Sequence, residues 1–411
     1  MTDAERAVEA VARDSYGRLV SFLAARSRDV AAAEDALGEA FLAALHAWPR
    51  DGVPDKPDAW LFTAARRQLI DRARRGAVRA DAVPPLRLLA DELGAVSANA
   101  DIPDERLRLL FVCAHPAIAA EVHTPLMLQT VLGLDAARVA SAFCVAPATM
   151  GQRLARAKAK IRLAGISFEV PGPGELPTRL EAVLDAIYAA YGLGWDDVAG
   201  ADPRRRDLGT EAIWLARVVT HLLPAEPEGR GLLALMLHCE ARRLARRGPD
   251  GAFVPLSEQD VALWSRSMID EAERELAAAA THGAVGRFQL EAAIQSVHAQ
   301  RATTGRTDWE VLALLYEGLT RHSNALGARV GRAAALGNAR GPAAGLAALD
   351  TVAAPSVAAY QPYWAVRAHL LGELGKTEAA DEAYARAIGL SEDPDVRAFL
   401  LRRRTARRTS S

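Results

Sequence analysis

Helix-forming residues dominate this chain from end to end. Long runs of Ala, Leu, Arg and Glu recur, and no stretch shows sustained alternation with β-branched residues. The pattern predicts an all-α protein. The densest punctuation falls at Pro49–Pro57 (PRDGVPDKP), Gly76–Asp101 with Pro84-Pro85, Pro171–Pro177 (PGPGELP) and Gly248–Pro255. Two X-Pro restrictions and two glycines within PGPGELP forbid a continuous helix, so this stretch reads as the strongest domain boundary. The expected organisation is a helical unit over 1–76, a linker over 77–101, a second helical unit over 102–168 and a larger helical domain over 177–411. A chain of 411 residues has room for these parts.

Composition narrows the class. The chain is 50% hydrophobic and 25% charged, which excludes a disordered or collagenous protein. Cys113, Cys144 and Cys239 are far apart and form no CxxC pair, so they build neither a disulfide framework nor a four-thiolate zinc site. The expected compartment is reducing and cytoplasmic. The opening MTDAERAVEAVARD is acidic and amphipathic rather than leader-like, and no run reaches the ~18 apolar residues of a membrane span. Net charge is −1, so any contact with nucleic acid must be local.

Two basic segments supply local charge. From Trp60 to Arg79 there are six arginines and one acid, Asp71. As a helix this segment is expected to turn Trp60, Ala64, Ile70 and Ala73 inward and Arg66, Arg67, Gln68, Arg74 and Arg75 outward, a face suited to phosphate. A solvated surface is the competing reading, because arginine replaces lysine almost everywhere here. The second segment, Leu134–Arg162, has Val139 and Ala140, Cys144 at a turn, then Val145, Pro147 and Met150, the spacing of a helix-turn-helix. The expected exposed positions of its second helix are Thr149, Gln152, Arg153, Arg156, Lys158 and Lys160. Hydrogen-bonding groups lie near the N-terminus, where base edges are met, and cations follow toward the C-terminus. Those cations also complement the helix dipole, which needs no DNA.

The last block is periodic. Trp364, Ala368, Leu371, Gly375, Ala380, Tyr384 and Ala387 have the small and large alternation of a tetratricopeptide helix pair, and a shift of 35 residues lands on Ala333, Leu336, Gly345 and Leu349. Tetratricopeptide-like repeats are expected at about 326–392, with plain helical packing as the alternative.

Signatures of catalysis are missing from the sequence. Cys113, His115 and His123 fit no standard tetrahedral zinc set, and His238-Cys239 sit on an apolar helix where a satisfied core histidine is the default. There is no GxxxxGK[ST], GxGxxG after a strand, or HExxH. The expectation is a protein without enzymatic activity, metal or cofactor.

AEDALGEAFLAAL (33–45), AWLFTAARRQLIDRARR (59–75) and ATMGQRLARAKAKIR (148–162), in that order, resemble the core-binding, promoter-melting and minus-thirty-five recognition helices of the extracytoplasmic-function sigma factors of bacterial RNA polymerase. WPRDGVPDKPDAWL, RLLFVCAHPAI and ARGPAAGLAALD further resemble the subgroup with a C-terminal tetratricopeptide-like extension of the DUF6596 type. The resemblance implies a protein that directs core polymerase to promoters. It implies that Glu34, Asp35, Leu37, Glu39 and Phe41 bind the β′ clamp coiled coil. It implies minus-ten contacts from the loop 48–58, which would hold a flipped base, with Arg66, Arg67, Gln68, Arg74 and Arg75. It implies minus-thirty-five contacts from Thr149, Gln152, Arg153, Arg156, Lys158 and Lys160, a β flap contact, and a linker threading toward the polymerase active centre. Departures from the family pattern are Gly38 in mid-helix, Arg67 where asparagine is frequent, Ala114 for a second cysteine, and Pro125 placed to begin the helix before the helix-turn-helix.

Two other functions compete with this one. A stand-alone helix-turn-helix regulator with a tetratricopeptide-like sensor would bind DNA without polymerase, and a pure scaffold would leave the basic helices as solvated surface. Neither needs the AEDALGEAF helix. The C-terminal domain is expected to regulate the DNA-binding part or to dock an unknown protein or peptide.

Overall fold

The computed structural model describes residues 3–80, 104–143, 145–195, 203–352 and 357–409. Among them all regular structure is helical, apart from one isolated bridge between Arg247 and Phe253. The chain divides into two compact units, Met1–Asp197 with Asp202–Val218, and Val198–Ala201 with Val219–Ser411.

The first unit begins with three helices: α1 (Asp3–Ser27), α2 (Val30–Asp51) and α3 (Pro57–Ala80). Asp29 stops one helix and starts the next, its backbone extended and its carboxylate accepting from the Ala32 N–H at 3.1 Å. Pro49 does not break α2, which continues to Asp51 and ends at Gly52, whose φ of +88° an L side chain rarely adopts. Buried Leu37, Ala40, Ala44 and Trp48 of α2 meet Leu61, Phe62, Ala65 and Leu69 of α3 and Leu19, Phe22 and Leu23 of α1. The inward stripe of α3 is therefore rotated from the expected one, and Trp60, Ala64 and Ile70 are only half-buried. Phe62 decides the rotation by packing edge-on against Phe22 at 5.5 Å.

Five further helices follow: α4 (Arg106–Cys113), α5 (Ala120–Thr130), α6 (Ala136–Ala142), α7 (Pro147–Leu163) and α8 (Leu176–Trp195). Helices α6 and α7 span the segment expected as a helix-turn-helix, with Pro147 in the first turn of α7 and Val139, Ala140, Met150, Leu154 and Ile161 buried. Cys144 at its turn lies outside the described residues, as does the linker from residue 81 to 103. Pro125 does not begin α5, which starts five residues earlier. Thr124 beside it is anchored elsewhere, its hydroxyl donating to the Ala186 carbonyl of α8 at 3.1 Å. The Arg179 guanidinium likewise donates to the Phe111 carbonyl at 2.7 Å. Helix α8 is thus packed onto α4 and α5, so PGPGELP is not where packing ends. Cys113 is buried with its sulfur 3.3 Å from the Thr130 hydroxyl, and burial pushes its pKa up to about 12, an inert thiol.

Helix α9 (Pro203–Leu222) carries the boundary between units. The second unit continues with α10 (Pro227–Glu240), α11 (Arg266–Ala280), α12 (Arg287–Ala299), the single turn α13 (Arg301–Thr304), α14 (Trp309–His322), α15 (Leu326–Arg340), α16 (Pro342–Asp350), α17 (Gln361–Glu373), α18 (Thr377–Leu390) and α19 (Pro394–Thr409). Helix α10 packs on α11 and α12, and Gly231 permits this: a Cβ there would lie 2.6 Å from the Gln289 nitrogen. The Glu228 carboxylate accepts from the Phe288 and Gln289 N–H groups at 2.9 and 3.2 Å, capping α12. Further on, helices pair in sequence. Gly345 of α16 crosses Gly337 of α15 so closely that a Cβ would lie 2.8 Å from its Cα. Ala368, Leu371, Ala380, Tyr384 and Ala387 form one cluster between α17 and α18, with Gly375 at the turn in positive φ.

Candidate polymerase and nucleic-acid interface

Helix α2 has an inner and an outer face. Leu37 is fully buried, so it builds the core and is not a surface ligand. Phe41 is half-buried and stacks on Tyr16 at 6.5 Å between centroids. The outer stripe contains Asp35, Gly38, Glu39, Leu42 and Leu45, with Leu42 59% and Leu45 39% exposed. Sequence reasoning missed the two leucines, although stepping by three and four from Asp35 reaches both. Arg72 of α3 joins Asp35 and Glu39 at 3.0 and 2.5 Å, fixing that stripe against α3.

Glu34 lies at the edge of this stripe and is held from the other side. Lys158 of α7 is bonded to its carboxylate and to the Gln129 side chain, the latter at 2.6 Å, and Arg162 reaches Asp29 at 3.2 Å. The Glu34 and Lys158 side chains are 14% and 10% exposed. Lys158 is therefore not among the exposed positions of α7, a correction to the expected DNA-contacting face. Its long stem follows the buried stripe of Leu154, Ala157 and Ile161, so only tertiary packing decides its fate. Burial raises the Glu34 pKa above its ordinary value, and the neighbouring Asp35 adds to this, while the Lys158 ammonium opposes it. The ion pair is consequently costly to desolvate and is sustained by its mutual charge.

The remaining cations of α7 face outward. Thr149, Gln152, Arg153, Arg156 and Lys160 are exposed, and Arg153, Arg156 and Lys160 have no ion pair among the described residues. Their free charge contrasts with Lys158 one turn away.

The loop before α3 and the α3 face border a cavity of about 500 Å³ whose lining includes Pro54, Asp55, Lys56, Trp60, Thr63 and Arg67. Trp60 is braced edge-on by buried Trp48 at 5.7 Å, which sets its ring as one wall. Among the described residues Arg67 is exposed and unpaired at this cavity, Gln68 is half-buried, and Arg66 is half-buried with its Nε unpartnered. Arg74 is exposed and 3.8 Å from Asp71. The side chain of Arg75 lies outside what is described. An aromatic wall, a hydroxyl and cations around a cavity of this size can stack an unpaired base and hold its backbone.

Among the described residues no group of three or more His, Cys, Asp or Glu side chains could hold a metal, and no helix is long and apolar enough to cross a membrane.

Comparison with known proteins places two family patterns on the chain. The one described as Sigma-70 region 2 matches residues 11–79, and a family of unknown function, DUF6596, matches residues 179–280. An uncharacterized protein of Rhizobium meliloti (strain 1021) is 39% identical over 379 residues, covering 91% of this chain and 89% of that protein. No solved structure matches. The second pattern begins just after PGPGELP, so that stretch marks a family boundary even though α8 packs back onto the first unit.

Proposed function

This chain belongs to the sigma-70 family, with a region 2 at its N-terminus and a fused domain of the DUF6596 type, and from that premise we propose a specific division of labour along it. A sigma-family protein acts in transcription initiation, binding core RNA polymerase and promoter DNA, and the family is not an enzyme class. In our reading the outer stripe of α2, with Asp35, Glu39, Leu42, Leu45 and the edge of Phe41, docks the clamp coiled coil of the β′ subunit. Two acids beside two exposed leucines suit a basic, amphipathic partner helix.

The cavity walled by Trp60 takes a flipped base of the minus-ten element, and Arg66, Arg67, Gln68, Arg74 and Arg75 follow the strand's backbone. Helix α7 enters the major groove of the minus-thirty-five element, with Thr149 and Gln152 toward base edges and Arg153, Arg156 and Lys160 on phosphates. Lys158 joins them only when it leaves Glu34. The helix-turn-helix unit also meets the β flap, and the second unit, with tetratricopeptide-like hairpins at about 326–392, regulates the first or docks a partner. The protein works in the cytoplasm, where polymerase is.

The Trp60 cavity on α3, together with a polymerase-suited stripe on the α2 helix packed against it, carries this reading, since a stand-alone DNA-binding regulator needs neither. The test is co-purification of core polymerase with the full chain and with Leu42→Asp, a substitution at an exposed position. Retention by the first and a loss of at least about tenfold by the second is expected. Equal retention by both, or none by the folded parent, overturns it.

A further inference from the structure

A second cavity, of about 570 Å³, lies wholly within the second unit, between α11, the turn α13 and the stretch that precedes α11. Its size is that of a small-molecule site. Trp264 forms one wall and is 6% exposed, its ring rather than its nitrogen turned to the lining surface that a ligand can reach. The ring is fixed by two guanidinium groups, Arg301 at 5.0 Å and Arg242 at 6.0 Å from its centroid. Arg242 is 6% exposed and satisfied by the His238 carbonyl and the Gln295 side chain rather than by a carboxylate, while Arg301 donates to the carbonyls of Ser257 and Gln259. Their uncompensated charge reaches neighbouring groups: after burial itself, Arg242 and then Arg301 push the His298 pKa down to about 4. Two guanidinium groups thus stand behind the Trp264 wall of the cavity.

The α11 wall is of mixed sign. Arg266 and Asp270 stand four residues apart on it, a spacing at which opposite charges ordinarily pair, yet neither makes a hydrogen bond or ion pair among the described residues. Glu273, one turn further, is already engaged, accepting from the Ser296 hydroxyl at 2.6 Å with the His238 Nε2 3.5 Å away. Between the charged groups the lining is apolar, with Val261 and Ile269 facing Ala299 and Ala302.

We propose that this cavity binds a zwitterionic molecule with an apolar side chain, of the class of a free amino acid or short peptide. Its carboxylate is received by Arg266 beside the wall formed by the Trp264 ring, its ammonium by Asp270, and its side chain by the apolar lining. The site rests on groups of the second unit alone and is independent of polymerase binding, so either reading can fail without the other.

The experiment uses the full chain, with isothermal calorimetry and thermal unfolding against leucine, phenylalanine, leucyl-leucine, and the N-acetyl and C-amide forms of each. Binding of at least one zwitterion is expected, weakened about tenfold or more by blocking either end. Arg266→Gln, which removes the cation that receives the carboxylate, weakens binding of zwitterion and N-acetyl form alike. Asp270→Asn weakens the zwitterion and spares the N-acetyl form. No binding to folded protein at millimolar ligand overturns the proposal. So does equal affinity for the N-acetyl form, which would mean a plain carboxylate site, or for the amide form, which would mean a plain amine site.

Discussion

Replacing Lys158 by methionine leaves the Glu34 carboxylate without its cation. The Lys158 stem packs among α7 residues, so methionine preserves most of the volume and the change falls on charge. Removing one partner of a buried pair costs roughly 3 to 5 kcal/mol because the other charge is stranded. Glu34 Oε1 already has no partner, so the stranded carboxylate has no nearby relief among the described residues. Amide hydrogen exchange on the full chain reads the effect locally. At ~1.4 kcal/mol per decade, a loss of about 3 kcal/mol lowers protection of the α7 amides, and of the α2 amides around Glu34, about a hundredfold at neutral pH.

The sign with pH is fixed. The folded pKa of Glu34 is already raised, and losing Lys158 raises it further, so the variant regains stability as pH falls through that folded value and loses it as pH rises. Glu34→Gln combined with Lys158→Met restores most of the protection, since no stranded charge remains. Unchanged protection in Lys158→Met would refute the view that this pair holds α7 against α2.

Gly38 lies in mid-helix with open space where a Cβ would be, so Gly38→Ala raises the stability of α2 by about 1 kcal/mol, visible as a higher unfolding temperature. Burial, with Arg242 adding to it, pushes the His238 pKa down to about 3 from 6.5, although the Glu273 carboxylate lies 3.5 Å from its Nε2. The imidazole is held neutral, so the unfolded chain takes up a proton that the folded one refuses. Stability of the second unit therefore falls as pH drops below about 6.5, by up to about 1.4 kcal/mol per unit from this group, and denaturation midpoints across that range for the parent and His238→Gln check the slope. Arg153→Gln with Arg156→Gln removes two phosphate contacts and lowers the salt slope of promoter binding by the polymerase complex by about 2, measured by titration across salt concentrations.

The helical class was legible because it rests on local propensity, and the two helices α6 and α7 because Pro147 starts the second and Val139, Ala140 and Met150 mark their buried faces. The outer stripe of α2 was half legible: its acids stand out, whereas Leu42 and Leu45 look like core until the buried stripe of Leu37, Ala40, Ala44 and Trp48 is known. The α3 register turned on Phe62 meeting Phe22, a contact across 40 residues that periodicity alone does not choose. Lys158 was misread for the same reason, since its partner lies 124 residues earlier in the chain. Pro49 and Pro125 marked boundaries that packing overrode, α2 running on to Gly52 and α5 starting at Ala120. The Trp264 cavity was invisible, because it joins α11 to residues about 30 positions later through unpaired groups that only a structure reveals.

Runoff transcription with purified core polymerase, the full chain and DNA from upstream of its own gene tests the central claim most directly. The account predicts a discrete transcript that requires both the chain and core enzyme and is lost with Leu42→Asp. A folded chain that neither joins core polymerase nor yields a transcript on any fragment of a genomic promoter library would contradict it.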